Sequence, residues 1–196
     1  MGYGLMLYGV SPGALKLYFG SRDARTLERF CQRYARDLES LDDFVFPGMP
    51  NAREAAAQLI NGDPLHPSAG HLYGYLFKYF CDSVGRFLDN RAVMPCPASF
   101  LDEHVEPALR EMGVSSAFSF SRLLYGGDVP FAKLPRPDDF PMYSYLPPEE
   151  VKRAAEALRH ARYTGMRHDV SEIVESAREW FTTCASLDWG LASFYH

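Results

Sequence analysis

Residues 3–10 read YGLMLYGV, and this stretch decides the fold. It is rich in β-formers and reads as a strand. Residues 191–195, LASFY, read as a final strand after a turn at Asp188-Trp189-Gly190. A strand at each end predicts that the termini pair in one sheet and tie down both ends of the chain. What lies between reads as helix. The expected class is α+β: a mostly helical single domain over residues 1–196 with a small sheet pairing the N- and C-terminal strands. No repeat, low-complexity tract or flexible linker divides it.

Working outward, Ser11 and Pro12 suit an N-cap and first helical position, with a short helix through Leu15 and Phe19 stopping at Gly20. From Ser21, the residues Leu27, Phe30, Cys31, Tyr34, Leu38 and Leu41 recur at helical spacing. Arg25, Arg29, Arg33 and Arg36 lie off that stripe as a solvated face. Asn51 caps a helix that Asn61-Gly62 ends. Residues 71–88, HLYGYLFKYFCDSVGRFL, form the most apolar helix and are expected at the centre. Gly74 and Gly85 weaken it relative to alanine, so both mark close packing. A helix capped by Ser99 runs to Met112 with Pro107 inside, and another spans 117–125. Pro130, Pro135, Pro137 and Pro141 make 128–142 an irregular loop. A short strand over 143–146 precedes a helix opened by Pro147-Pro148-Glu149-Glu150. Asp169 or Ser171 caps the last helix.

The composition is that of a globular domain: 47% hydrophobic and 23% charged over 196 residues, which excludes disorder and collagen-like repeats. Twenty basic and twenty-five acidic residues give a net charge of −5, which disfavours direct binding of nucleic acid or of an anionic membrane. No run reaches the 18 apolar residues of a membrane span, and the first residues lack a secretory signal. Cys31, Cys81, Cys96 and Cys184 show no C-x-x-C spacing. They read as reduced thiols of a cytoplasmic protein, with Cys96 the exposed one.

Phosphate-loop, G-x-G-x-x-G, H-E-x-x-H, G-x-S-x-G and EF-hand patterns are missing. His66 and His71 would bind a metal only if Asp63 or Asp82 joined them. His104, beside Asp102, Glu103 and Glu106, would need its neighbours on one face to act as a base, and adjacent helical positions diverge. No catalytic, metal or cofactor site is expected. Two loop segments stand out instead: Asp42-Asp43-Phe44 and Asp138-Asp139-Phe140 are acidic and aromatic-tipped. With Tyr143 and Tyr145, beside the proline-rich loop, they are the candidate partner-binding residues, because loops carry function more often than packed helices.

Several segments resemble a bacterial family of uncharacterised proteins: MGYGLMLYGVSPGAL, LINGDPL followed by GHLYGYLFKYFCDSVGRFLDN, LLYGGDVPFAKLPRPDDFP, and the closing ASFYH. The segment YLPPEEVKRAAEAL is similar to the YfbM-like domains of unknown function. The resemblance implies an α+β domain of the bacterial cytoplasm and assigns no chemistry. By analogy, small acidic domains of this kind look like the immunity partners encoded beside secreted toxins.

The expectation is therefore a non-enzymatic binding protein, an immunity protein that neutralises a cognate, basic toxin domain by occluding its active site. The alternative is a small-molecule enzyme or sensor with a pocket between the 71–88 helix and the proline-rich loop, using His66, His71, Tyr143 and Tyr145. A third reading is a structural subunit, betrayed by a large exposed apolar patch.

Overall fold

The two terminal strands lie side by side at the centre of one antiparallel sheet. β1 (Leu5–Val10) pairs with β4 (Gly190–Tyr195) so that Leu5 faces Tyr195 and Val10 faces Gly190. β2 (Arg86–Phe87) flanks β1 and β3 (Met142–Leu146) flanks β4, giving the order β2-β1-β4-β3. The structure, a computed structural model, describes residues 3–114, 116–126, 129, 131–162 and 165–196. Asp128 and Pro130, expected in the proline-rich loop, lie outside the described residues.

Strand alternation sorts the side chains into two cores. Leu5, Leu7, Leu146 and Leu191 point to one face, while Tyr8, Val10, Tyr145, Ala192 and Phe194 point to the other. The N-terminal helices cover the second face: α1 (Pro12–Leu15), α2 (Ala24–Arg33), α3 (Ala35–Asp42), α4 (Ala52–Asn61) and α5 (Gly70–Val84). The first face is covered by α6 (Ala98–Phe100), a π turn (Leu101–Val105) and α7 (Glu106–Glu111), with α8 (Phe120–Tyr125), α9 (Pro148–His160) and α10 (His168–Ser186). Helices on both sides explain why YGLMLYGV is nearly continuously apolar instead of alternating with polar residues. Leu5, Leu7 and Val10 are fully buried, each contributing on the order of 2 kcal/mol relative to exposure.

Several local expectations hold. Asn51 and Glu54 form a capping box at α4, and Gly62 closes that helix with φ of 73°. Pro148 opens α9 with Glu149 and Glu150 in its first turn. Gly74 is a site of close approach: an added Cβ would stand 2.9 Å from Pro141 Cγ and 3.1 Å from Tyr143 Cδ1. At Gly85 it would stand 2.8 Å from the Gly9 carbonyl oxygen.

Other expectations are corrected. The central helix stops at Val84, and Arg86–Phe87 pairs with β1, which leaves Phe87 exposed. The stripe from Leu27 to Leu41 belongs to two helices that break at Tyr34, whose hydroxyl donates to Asp82 Oδ2 at 2.6 Å. In the run expected to be one helix from Ser99, α6 (Ala98–Phe100) leads into a π turn over Leu101–Val105 and then α7 (Glu106–Glu111). Pro107 has no N–H to donate, and the Glu106 N–H reaches back five residues to the Leu101 carbonyl. The 117–125 helix begins only at Phe120, capped by Ser119. α10 begins at His168, ahead of both expected caps. Cys96 is buried instead of exposed: its N–H donates to the Tyr3 carbonyl at 2.8 Å and its side chain joins the core. Among the described residues no helix is long and apolar enough to cross a membrane.

Candidate functional site

α5 carries two stripes. Leu72, Leu76 and Phe80 are fully buried. Beside them His71, Tyr75 and Tyr79, also spaced four apart, are half-buried and line an open groove of about 780 Å³. Asp37 and Leu41 of α3, with Phe44, Phe46 and Met49 of the following loop, form one wall. The chain from 136 to 140 forms the other, bringing Arg136, Asp138, Asp139 and Phe140. Asp138-Asp139-Phe140 thus lines the groove with all three residues, whereas Asp42-Asp43-Phe44, remote in sequence, reaches it only through Phe44.

Local bonding explains each position. The loop after α3 turns through bonds from Phe44 N–H to the Leu41 carbonyl (3.0 Å) and from Met49 N–H to the Phe46 carbonyl (3.0 Å). His71 Nε2 lies 3.2 Å from the Phe44 carbonyl oxygen and pins this wall to α5 when it carries the proton. Phe44 and Phe46 stand out from the rim, 63% and 64% exposed. On the far wall Phe140 stacks on the exposed Tyr3 ring at 5.1 Å between centroids, which extends the aromatic surface past the groove.

The floor is largely aromatic, and the walls carry Asp37, Asp138 and Asp139 against the cation of Arg136. Burial pushes the Tyr79 phenol up to about 12, helped by the charge of Asp37 and by Tyr75. Burial, then Asp139, raises Tyr75. Both phenols stay protonated at neutral pH; the Tyr79 ring is stacked on Tyr34 at 5.1 Å and has Lys78 Nζ 5.6 Å from its centroid, so Tyr75 is the ring left to the groove. Among the described residues Asp37, Asp138 and Asp139 have no hydrogen-bond or ion-pair partner. A groove of aromatic faces with unengaged carboxylates can hold a cationic group by cation–π contact and charge-assisted hydrogen bonds.

Not every residue singled out from the sequence belongs to it. Asp42 ends α3 and spends its carboxylate on the fold, accepting from the Ala52 N–H at 2.7 Å. Asp43 is exposed beside the groove. Tyr143 is half-buried under the loop and donates to the Pro135 carbonyl at 3.1 Å, lining a smaller recess of about 190 Å³ behind the 136–139 wall. Tyr145 is 2% exposed, its hydroxyl packed over Gly190. It is a core residue, unable to meet a partner, because it sits deeper along β3 where α5 covers the sheet.

The histidines separate. His66 Nδ1 accepts from the Ser68 N–H at 3.3 Å, outside the groove. Asp82 is engaged by Tyr34 and lies 3.6 Å from Arg33. Among the described residues no set of three His, Cys, Asp or Glu is grouped to hold a metal. The acids around His104 diverge: Glu106 is buried and accepts from the Ser121 N–H at 3.0 Å, while Asp102 accepts from the Ser121 hydroxyl at 3.2 Å. His104 itself packs edge-on against Phe100. His196 is half-buried, with Nε2 3.0 Å from Met6 Sδ and its ring edge-on to Tyr75.

Sequence reading missed Asp37, Tyr75, Tyr79 and Arg136 as groove residues. The signal was present in the 71–75–79 spacing, a polar-edged aromatic stripe beside an all-apolar one.

No curated protein and no solved structure matches the chain. A family model described as a domain of unknown function, DUF7691, matches residues 1–196, its whole length, and the chain belongs to that family.

Proposed function

We propose that this chain is a non-enzymatic binding protein, an immunity protein that neutralises a cognate bacterial toxin by gripping a basic segment at the toxin's active site and so occluding it. One observation supports the reading: Phe44 of one singled-out segment and Asp138, Asp139 and Phe140 of the other line one groove. Carboxylates on its walls would speed encounter with a basic partner, and the exposed Phe44 and Phe46 are of the kind that anchor interfaces. The net charge of −5 favours the same partner and disfavours direct contact with nucleic acid or an anionic membrane. On this reading the chain works in the cytoplasm, in keeping with four cysteines that form no disulfide. The likeness of YLPPEEVKRAAEAL to YfbM-like domains belongs to the same proposal. That segment builds the end of β3 and most of α9, away from the groove.

The test is calorimetric titration of the purified chain against the product of the adjacent gene. The expected result is a nanomolar complex that weakens with added salt and is lost in Phe44→Ser with Phe46→Ser. Failure of every neighbouring product to bind would end the immunity reading.

A second reading is favoured by the groove's size. About 780 Å³ falls within the range of small-molecule pockets, and of the four polar groups expected for such a pocket His71 lines this groove while His66, Tyr143 and Tyr145 do not. A small cationic metabolite bound there would make the chain a sensor or an enzyme. Retention of such a compound by the purified protein, detected by mass spectrometry, would favour it.

A further inference from the structure

Resting on the reading of the groove as a partner-binding surface, we propose that its occupant is an arginine-bearing segment of another protein, the guanidinium lying against the Tyr75 ring and among the carboxylates of Asp37, Asp138 and Asp139. Three features of the groove lead to this. The first is its chemistry. Asp37 stands on one wall, Asp138 and Asp139 on the other, and tyrosine rings lie between them. The Tyr79 ring already stacks on Tyr34 at 5.1 Å and has Lys78 Nζ 5.6 Å from its centroid, which leaves Tyr75, lining the same groove as Asp138 and Asp139, as the ring for the cation. A planar guanidinium stacks on an aromatic ring and forks to a carboxylate at once. An ammonium is more strongly hydrated and cannot fork. The Arg136 side chain and His71 oppose this field, but His71 Nε2 already faces the Phe44 carbonyl.

The second feature is volume. About 780 Å³ exceeds what one side chain fills, so neighbouring residues of the same segment enter with it. The third is the rim. Phe44, Phe46 and Tyr3 are each more than half exposed and face outward around the opening. A small cation inside the groove would leave these rings in water. A protein surface behind the inserted segment covers them, and that burial supplies much of the affinity.

The test uses the full chain and nuclear magnetic resonance titration with a capped glycine–arginine–glycine peptide, the same peptide with citrulline for arginine, and spermidine. The arginine peptide is expected to give saturable shifts confined to Phe44, Tyr75, Tyr79 and the 136–140 segment. Citrulline, of the same shape without the charge, should bind about tenfold more weakly or worse. Asp138→Asn with Asp139→Asn should weaken the arginine peptide about tenfold and leave the thermal midpoint unchanged, since both side chains are exposed. No saturable shift at millimolar peptide, equal binding of the citrulline peptide, or shifts outside the groove would overturn the proposal. Tighter binding of spermidine than of the arginine peptide would also overturn it, in favour of a small-molecule occupant. The two proposals fail separately. A toxin complex insensitive to the Asp138 and Asp139 substitutions removes the arginine site and spares immunity. An arginine site on a chain that no neighbouring product binds does the reverse.

Discussion

The carbonyl of Arg136 lies against the bare Cα of Gly70: a Cβ built there would stand 2.5 Å from that oxygen. One turn further along α5, Gly74 meets Pro141 and Tyr143. Two glycines four apart therefore make a flat seat on which the proline-rich segment lies, and that seating creates the groove wall that carries Asp138 and Asp139.

Gly70→Ala opposes backbone to a methyl group, and neither can turn away. It is expected to destabilise by about 2 kcal/mol, as overpacking does. Gly74→Ala meets side-chain atoms at 2.9 and 3.1 Å that can shift by a few tenths of an ångström, and alanine is the better helix former by about 1 kcal/mol. Its net cost should be smaller. Urea denaturation of the two variants checks the order, and equal or reversed midpoints would sink the seating argument.

How much of this was legible in the sequence depends on the range of the contact. The strands at 5–10 and 190–195, the Asn51 cap and the Pro147-Pro148 helix start are local patterns whose signals all agree, so they could be read directly. The two acidic segments were legible as loops worth attention. Their meeting was not, because it follows from the sheet order and from Gly70 and Gly74, and neither is a local property. Met94-Pro95-Cys96-Pro97 carries every mark of an exposed loop, yet a bond to the Tyr3 carbonyl turns Cys96 inward. Two-residue β2 has too little pattern to read. Tyr143 and Tyr145 share a strand face and differ only in depth beneath α5, which alternation cannot show.

Asp42 and Asp43 separate fold from function within one dipeptide. Asp42 satisfies the first N–H of α4 at 2.7 Å, a donor that helix geometry leaves without a partner. Asp42→Ala should lower stability by about 1 kcal/mol. Asp43 is exposed, and Asp43→Ala should stay within about 0.5 kcal/mol of the parent. Thermal unfolding decides, and a destabilised Asp43→Ala would show that the loop relies on it.

All four cysteines are buried, and burial raises every one of their thiols, Cys184 to about 12. Reaction with a disulfide reagent needs thiolate and access. In the native protein labelling should therefore be slow, with Cys31 and Cys96, at 6% and 4% exposure, ahead of the fully buried Cys81 and Cys184. Denaturant should release all four together. Immediate labelling of Cys96 in the native state would contradict its inward placement.

Alkali should reach the groove through its tyrosines. Tyr79 is pushed up to about 12 from an ordinary value near 10, and Tyr8, Tyr34 and Tyr145 are also raised, in each case chiefly by burial. A phenol whose pKa is higher in the fold than in the unfolded chain binds its proton more tightly in the fold. Its contribution to stability is full below pH 10 and is lost as the pH climbs from 10 through the folded value. Stability measured by denaturant should stay level in this respect up to about pH 10 and then fall, with tyrosinate absorbance rising as the chain unfolds. Tyr79→Phe removes one such group and should shallow the alkaline slope, because the ring stays and the proton equilibrium goes. A Tyr79 phenol that ionised near pH 10 in the folded protein would mean that the floor of the groove is open to water, and the slope of the variant would then match the parent.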